Sequence, residues 1–297
     1  MLCPVLLLMG QTQIHSQEHK QVRIGYLASM FTGVDLKDAE AALEIWAGKF
    51  SERVSLGRKP VGKIYETLDD MHEDLENGRV DIVALHSLDY LKIREHTLIE
   101  PVLIASRHES AVEEYVLLVH SQSGIRNLDQ LEGKRVLFHL GGRSEMPMMW
   151  LDLTLSRRGH RKLGQFFKEV EVVERVSQAL LPVFFQQKDA CVIPSSGYAT
   201  MQDLNPQIGE DIALLENSPG FVFFISCVRT DLDPAFKQNV IDSALNLHAT
   251  MEGQQILLLF KTKRIIVFKP EYLDTVRELA VEHKALMKIR GITSTEK

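Results

Sequence analysis

The chain has 297 residues, of which 45% are hydrophobic and 25% charged, with a formal net charge of −6 at pH 7. That length supports two packed cores or one large one, and the composition is ordinary for a globular protein. The negative balance disfavours nucleic acid and anionic membrane surfaces as partners, and no apolar run reaches the roughly 18 residues of a membrane span.

The chain begins with an apolar run, Leu2 to Met9, followed by the polar segment Gln11 to Gln21. This is the pattern of a secretory signal core, although a basic lead-in and a small-x-small cleavage site are missing. Residues 1–19 are read as a signal or leader segment, and export is expected. Cys3 sits too early for a lipoprotein signal. Cys191 and Cys227 lie inside apolar runs and are read as buried free thiols, which define no disulfide framework.

Val22 to Leu27 predicts a strand, and Leu36 to Phe50 a helix with Leu36, Ala39, Leu43 and Trp46 on its apolar stripe. Pro60 and Gly62 mark a turn. Tyr65 to Glu76 is a second helix, stopped by Asn77-Gly78. Val80 to Leu85 is a buried strand ending in His86-Ser87, and Leu88 to Ile93 starts another helix. Pro101 to Ala105 and Tyr115 to Val119 are further strands. The alternation of strand and helix argues for parallel α/β architecture.

From Gly133 to Gly159 the pattern is turn, apolar strand (Arg135 to Leu140), Gly141-Gly142, then a helix with Met148, Leu151 and Leu155 on one stripe. Ser144 is the expected N-cap. Free N–H groups at such a helix start suit an anion or a carbonyl, and the carboxyl ends of strands are where open α/β sheets bind ligands. The basic residues Arg157, Arg158, Arg161 and Lys162 are read as a solvated helix end. Strand Val170 to Val173, a helix from Ser177 to Gln187 containing Pro182, and strand Ala190 to Ile193 follow. Phe221 to Val228 is an apolar strand. Ala235 to Thr250, Met251 to Phe260 and Tyr272 to Ile289 are helical. Asn77 to Ala84 and Gln187 to Ile193 share a helix end, a turn, an Asp and a buried strand, so the chain reads as two similar halves starting near Lys20 and Tyr115.

Four blocks, in order, resemble the phosphate/phosphite/phosphonate-binding proteins of ABC importers. They are Leu75 to Ala84, Tyr115 to Val136, the Gly141 to Gly159 unit, and Asn217-Ser218-Pro219 with the strand to Arg229 and Gln254 to Phe260. The resemblance covers about Val22 to Leu279. It implies a type II periplasmic binding fold: two α/β lobes, each a mostly parallel sheet flanked by helices, joined by a hinge. Lobe 1 would be residues 20–107 plus 217–297, and lobe 2 residues 108–216. Ligand would bind between the lobes and close them, and the closed form would dock on a membrane permease. The resemblance implies a periplasmic monomer with no cofactor and no enzymatic activity.

The family's ligand motif does not carry over intact. Where the family has a Ser-Thr-Ser-Gly type turn, this chain has Ser144-Glu145-Met146-Pro147. Ser144 is kept, Met146 replaces the second serine, and Glu145 adds a negative charge. Two pocket tyrosines of the family align with Leu68 and Glu113. A histidine aligns near Val176, beside Ser177, and an aspartate near Phe224. A carboxylate 4 Å from an anionic ligand is repulsive by about 4 kcal/mol at an effective dielectric of 20. Arg143 could offset this with a bidentate grip, and Glu145 could instead point to solvent at the positive end of the helix dipole. The expected ligand is therefore less anionic than a simple phosphonate, and partly apolar.

Strand ends supply the other candidates: Ser29, Met30 and Phe31 after the first strand, His86, Ser87 and Tyr90 after the third, and Pro194, Ser195, Ser196 and Tyr198 in the second half. His86-Ser87-Leu88-Asp89 invites a hydrolase reading, but adjacent side chains at a strand end diverge and no G-x-S-x-G elbow is present. No zinc motif, P-loop or complete G-x-G-x-x-G is found. The Met146, Met148, Met149 and Trp150 group reads as core, with soft side chains suited to an adaptable apolar pocket. A ligand-sensing input for a membrane signalling partner is the alternative function, and an enzyme on the same fold a third.

Overall fold

The computed structural model describes residues 21–31, 34–53, 59–106, 110–140, 145–260 and 262–291, with backbone alone for 46–53 and 59. The leader, Gly141-Gly142-Arg143-Ser144, the Trp46 side chain and the expected lobe boundary at residues 107–108 lie outside the described residues. Two sheets organise the rest. In the first, β1 (Gln21–Leu27), β2 (Lys59–Tyr65), β3 (Ile82–His86), β4 (Ile99–Ser106), β10 (Phe224–Arg229) and β11 (Arg264–Val267) run in the order β11-β4-β10-β3-β1-β2. The second holds β5 (Tyr115–His120), β6 (Arg135–His139), β7 (Glu169–Val173), β8 (Ala190–Pro194) and β9 (Ile212–Asn217) in the order β7-β6-β8-β5-β9.

Parallel pairing is confined to β2-β1-β3 and β7-β6-β8, where helices supply the crossovers. The remaining pairs are antiparallel. The sheets are thus mixed, because β10 and β5 enter directly from the segments that pass between the sheets. Residues 59–65 are a strand where Pro60 and Gly62 predict a turn. An edge strand tolerates Pro because its outward N–H needs no ladder partner, and β2 is an edge.

The two halves repeat an ion pair as well as a strand order. Asp81, just before β3, accepts the Arg23 backbone N–H at 2.9 Å and its guanidinium at 2.9 and 2.6 Å. Asp189, just before β8, accepts the Arg135 N–H at 2.8 Å and Nε at 2.9 Å. Each carboxylate ties the start of one parallel strand to its neighbour and fixes register. In the first half, α2 (Leu68–Glu76) is capped by Thr67, whose hydroxyl accepts the Asp70 N–H at 3.1 Å, and ends at Asn77. Gly78 then adopts φ +61°, a left-handed conformation that glycine enters without strain.

Helices α2, α3 (Ser87–Ile93) and α11 (Asp274–Ile289) cover one face of the first sheet, and α1 (Leu36–Arg53), α9 (Pro234–Leu245) and α10 (Met251–Leu259) the other. On the second sheet, α6 (Val176–Phe184) covers one face with α7 (Ser195–Leu204) and α8 (Pro206–Asp211). The opposite face carries α4 (Met146–Arg157), with α5 (Leu163–Phe166) beside it. One buried cluster runs from the first sheet through Phe221–Ile225 to Phe138, Trp150 and Leu151, and a second lies under α6. Met146 and Trp150 are buried and Met148 and Met149 half-buried, as core residues. Cys191 and Cys227 are buried free thiols. Among the described residues no helix is long and apolar enough to cross a membrane.

Candidate functional site

The two segments that pass between the sheets meet at a two-residue antiparallel bridge. The Glu113 N–H donates to the Phe221 carbonyl and the Phe221 N–H to the Glu113 carbonyl, both at 2.9 Å. Antiparallel pairing of β5 with β8, which sets Tyr115 opposite Pro194, brings the start of α7 alongside. The Glu113 carboxylate then accepts three hydrogen bonds there: from Ser195 Oγ at 3.1 Å, Ser196 N–H at 3.0 Å and Ser196 Oγ at 2.7 Å. An internal carboxylate therefore already occupies the first-turn donors of α7, where the dipole favours negative charge.

A second group forms at the carboxyl ends of β1 and β3. His86 Nδ1 lies 3.4 Å from Ser29 Oγ and 3.5 Å from an Asp89 carboxylate oxygen. The His86 ring lies against Phe224 at 4.8 Å, tilted by 37°, and meets Phe223 edge to face at 5.3 Å. Its Nε2 is buried with no hydrogen-bond partner among the described residues. Burial raises the Asp89 carboxyl, but the His86 hydrogen bond and Lys92 outweigh it and hold it below the ordinary range. Serine and aspartate approach the same ring nitrogen, so these side chains are not wired as a nucleophile relay, which needs one partner on each nitrogen.

The other candidates fall in varied places. Ser87 is fully buried, its Oγ donating to the Val222 carbonyl at 2.7 Å, which ties α3 to the second crossing segment. Tyr90 is buried, and that burial raises its phenol. Leu68 opens α2 and is half-buried, as is Ser177 in the first turn of α6. Glu145 is exposed, with no side-chain cap bond to α4, and Met146 is fully buried. Arg143 and Ser144 lie outside the described residues. No group of three or more His, Cys, Asp or Glu suited to a metal occurs among the described residues.

Two cavities adjoin these groups. A small one of about 20 Å³ is lined by Glu113, Val112, Phe221, Phe223, Phe224 and Ala105, so it adjoins both Glu113 and the two phenylalanines around His86. A larger one of about 140 Å³ lies between the first sheet and α9 and α10, and shares Phe224 and Ala105 with the first. Met30 lines it. Sequence reasoning missed Phe223 and this larger cavity; the available signal was small residues, Ala84, Ala105 and Ser226, within strands of large apolar ones.

Strand order, mixed sheets and the two crossing segments define a type II periplasmic binding fold. The family described as ABC transporter, phosphonate, periplasmic substrate-binding protein matches residues 34–273, and the chain belongs to it. Solved structures share the fold at low identity. XAC2383 from Xanthomonas citri bound to ATP is 17% identical with a TM-score of 0.64, over 91% of this chain and 98% of that one. PhnD1 from Prochlorococcus marinus in complex with methylphosphonate is 16% identical, with a TM-score of 0.60 over 89% and 98%. The periplasmic aliphatic sulphonate binding protein SsuA from Escherichia coli is 16% identical, with a TM-score of 0.53 over 92% and 88%. No curated protein matches the sequence.

Proposed function

We propose that this chain captures a small molecule other than a simple phosphonate, between lobes of residues 20–107 plus 217–297 and 108–216, and delivers it to an ABC permease. The family supports solute capture for an importer. The departure from phosphonate rests on one observation: the Glu113 carboxylate takes the Ser195 and Ser196 donors. A dianion brought to that point would meet a fixed negative charge instead of free donors. Glu145, exposed at the start of α4, adds a second charge of the same sign. On this reading Ser29, His86, Phe224, Glu113 and Ser195 border the cleft, Arg143 and Ser144 are among the proposed ligand contacts, and the exported protein acts as a monomer.

The test is a thermal-shift series with methylphosphonate, phosphite and phosphate, beside native mass spectrometry of the purified protein. A ligand at about 100 Kd adds about 2.7 kcal/mol of stability. The three oxyanions are expected to leave the melting temperature unchanged while a different small molecule co-purifies. Strong shifts with all three would overturn the choice of ligand class.

A further inference from the structure

The larger cavity sits inside the first unit, between the sheet and the layer formed by α9 and α10. Its floor follows from register. Ser226 in β10 lies opposite Ala84 in β3, and Ala105 in β4 lies opposite Ile265 in β11. Three neighbouring strands thus present small side chains where a helix-covered sheet normally carries large ones, and the roof does not descend to fill the space. Ala84, Ala105 and Ser226 are only half-buried although β3, β10 and β4 are interior strands.

The lining is almost wholly hydrocarbon. Tyr26, Ser226 and Thr262 are the polar side chains in it, and the Thr262 hydroxyl donates to the Phe260 carbonyl at 3.1 Å. A buried water needs two to four polar partners, and most of this wall is hydrocarbon, whereas an apolar cavity of about 150 Å³ takes benzene. At about 140 Å³ the present cavity is of that size. An apolar wall left facing this space forgoes the burial that an apolar occupant would give it.

We propose that this cavity binds an uncharged apolar group, a short hydrocarbon chain or one aromatic ring of about six carbon atoms, and that the solute carries such a group. The second clause rests on the reading of the chain as a solute-binding protein. Adjacency supports it: Phe224 and Ala105 wall both this cavity and the small one at Glu113. A solute could place its polar end at the crossing segments and its apolar end past Phe224.

Benzene and n-hexanol are the probes, added to the full chain. Near saturation they should raise the melting temperature by about 2–4 °C. In methyl-labelled protein, benzene should give nuclear Overhauser contacts to the methyls of Met30 and Ala84. Ala84→Leu, which fills the floor, should abolish both effects; Ala84→Val should weaken them, and serves if the leucine variant does not fold. No shift with either probe and no contact to those methyls overturns the proposal. Import is measured separately, as solute uptake by cells lacking the chain. Unchanged uptake would remove the importer reading while a benzene-binding cavity still stood.

Discussion

Glu113 holds Ser196 twice, accepting its backbone N–H at 3.0 Å and its hydroxyl at 2.7 Å. The carboxylate belongs to a segment that passes between the sheets, and the serine opens a helix of the second sheet. The bond therefore fixes where that segment meets α7, and it neutralises donors that would otherwise seek an anion from solution. Glu113→Ala should lower stability by about 2 kcal/mol, since charge-assisted hydrogen bonds disappear and half-buried donors lose their acceptor. Glu113→Gln keeps one oxygen acceptor and should lose about 1 kcal/mol. Urea unfolding at neutral pH measures both, and equal losses for the two variants would contradict the role of the charge.

Asp152 joins α4 to the C-terminal helix. It accepts Arg290 Nη1 at 2.6 Å and the Leu163 N–H at 2.7 Å, and lies 3.5 Å from His283 Nε2. Because α11 also packs on α3, this carboxylate links helices of both sheets. Burial raises its carboxyl, but the bonds from His283, Leu163 and Arg290 outweigh burial and hold it below the ordinary value of 3.8. A carboxylate depressed in the folded state contributes stability fully above its unfolded value, and that stability is lost as pH falls through the folded one. Asp152→Asn should therefore cost about 3 kcal/mol at pH 7, leaving Arg290 without its partner. The gap between wild type and variant should narrow as the medium is acidified below about pH 4. A gap that stays constant would show the loss to be steric.

Interior strands were legible, and of the four edges only β7 was. The runs at Val22, Val80, Tyr115, Arg135 and Ala190 predict strands because residues buried on both faces read as continuous apolar stretches. Strands β2, β9 and β11 were missed: all are sheet edges, half-covered, with Pro60 and Gly62 in β2 imitating a turn. The repeat was visible through Asp81 and Asp189, yet their arginine partners stand 58 and 54 residues earlier and needed the sheet to be found. The same distance hid the site. Glu113 was singled out by alignment to a tyrosine, but its bonds to Ser195 and Ser196 depend on the β5–β8 register. Ala84, Ala105 and Ser226 are unremarkable as separate letters and become a cavity floor only once three strands lie side by side.

Cys191 and Cys227 should be inert in the native protein. Both thiols are fully enclosed, and desolvation pushes each far above its ordinary value, leaving almost no thiolate to react. Alkylation with iodoacetamide, followed by peptide mass mapping, should modify neither in buffer and both in denaturant. Modification of Cys227 in buffer would mean that β10 opens without global unfolding.

Gly220 tests the crossing itself. A Cβ added there would stand 2.4 Å from Val112 Cγ2 and 3.0 Å from its Cβ, closer than carbon atoms approach. Val112 precedes Glu113 and Gly220 precedes Phe221, so the contact lies beside the bridge that joins the two segments. The valine is β-branched and has no flexible end to swing aside. Gly220→Ala should thus force the segments apart, at a cost of about 2 kcal/mol from overpacking. Val112→Ala removes the clashing Cγ2 methyl and leaves only the 3.0 Å approach of Cβ, so the double variant should regain most of that loss. A double-mutant cycle by urea unfolding gives the coupling directly. A coupling near zero would mean that the segments do not meet as described, and the position of Glu113 against α7 would then need another explanation.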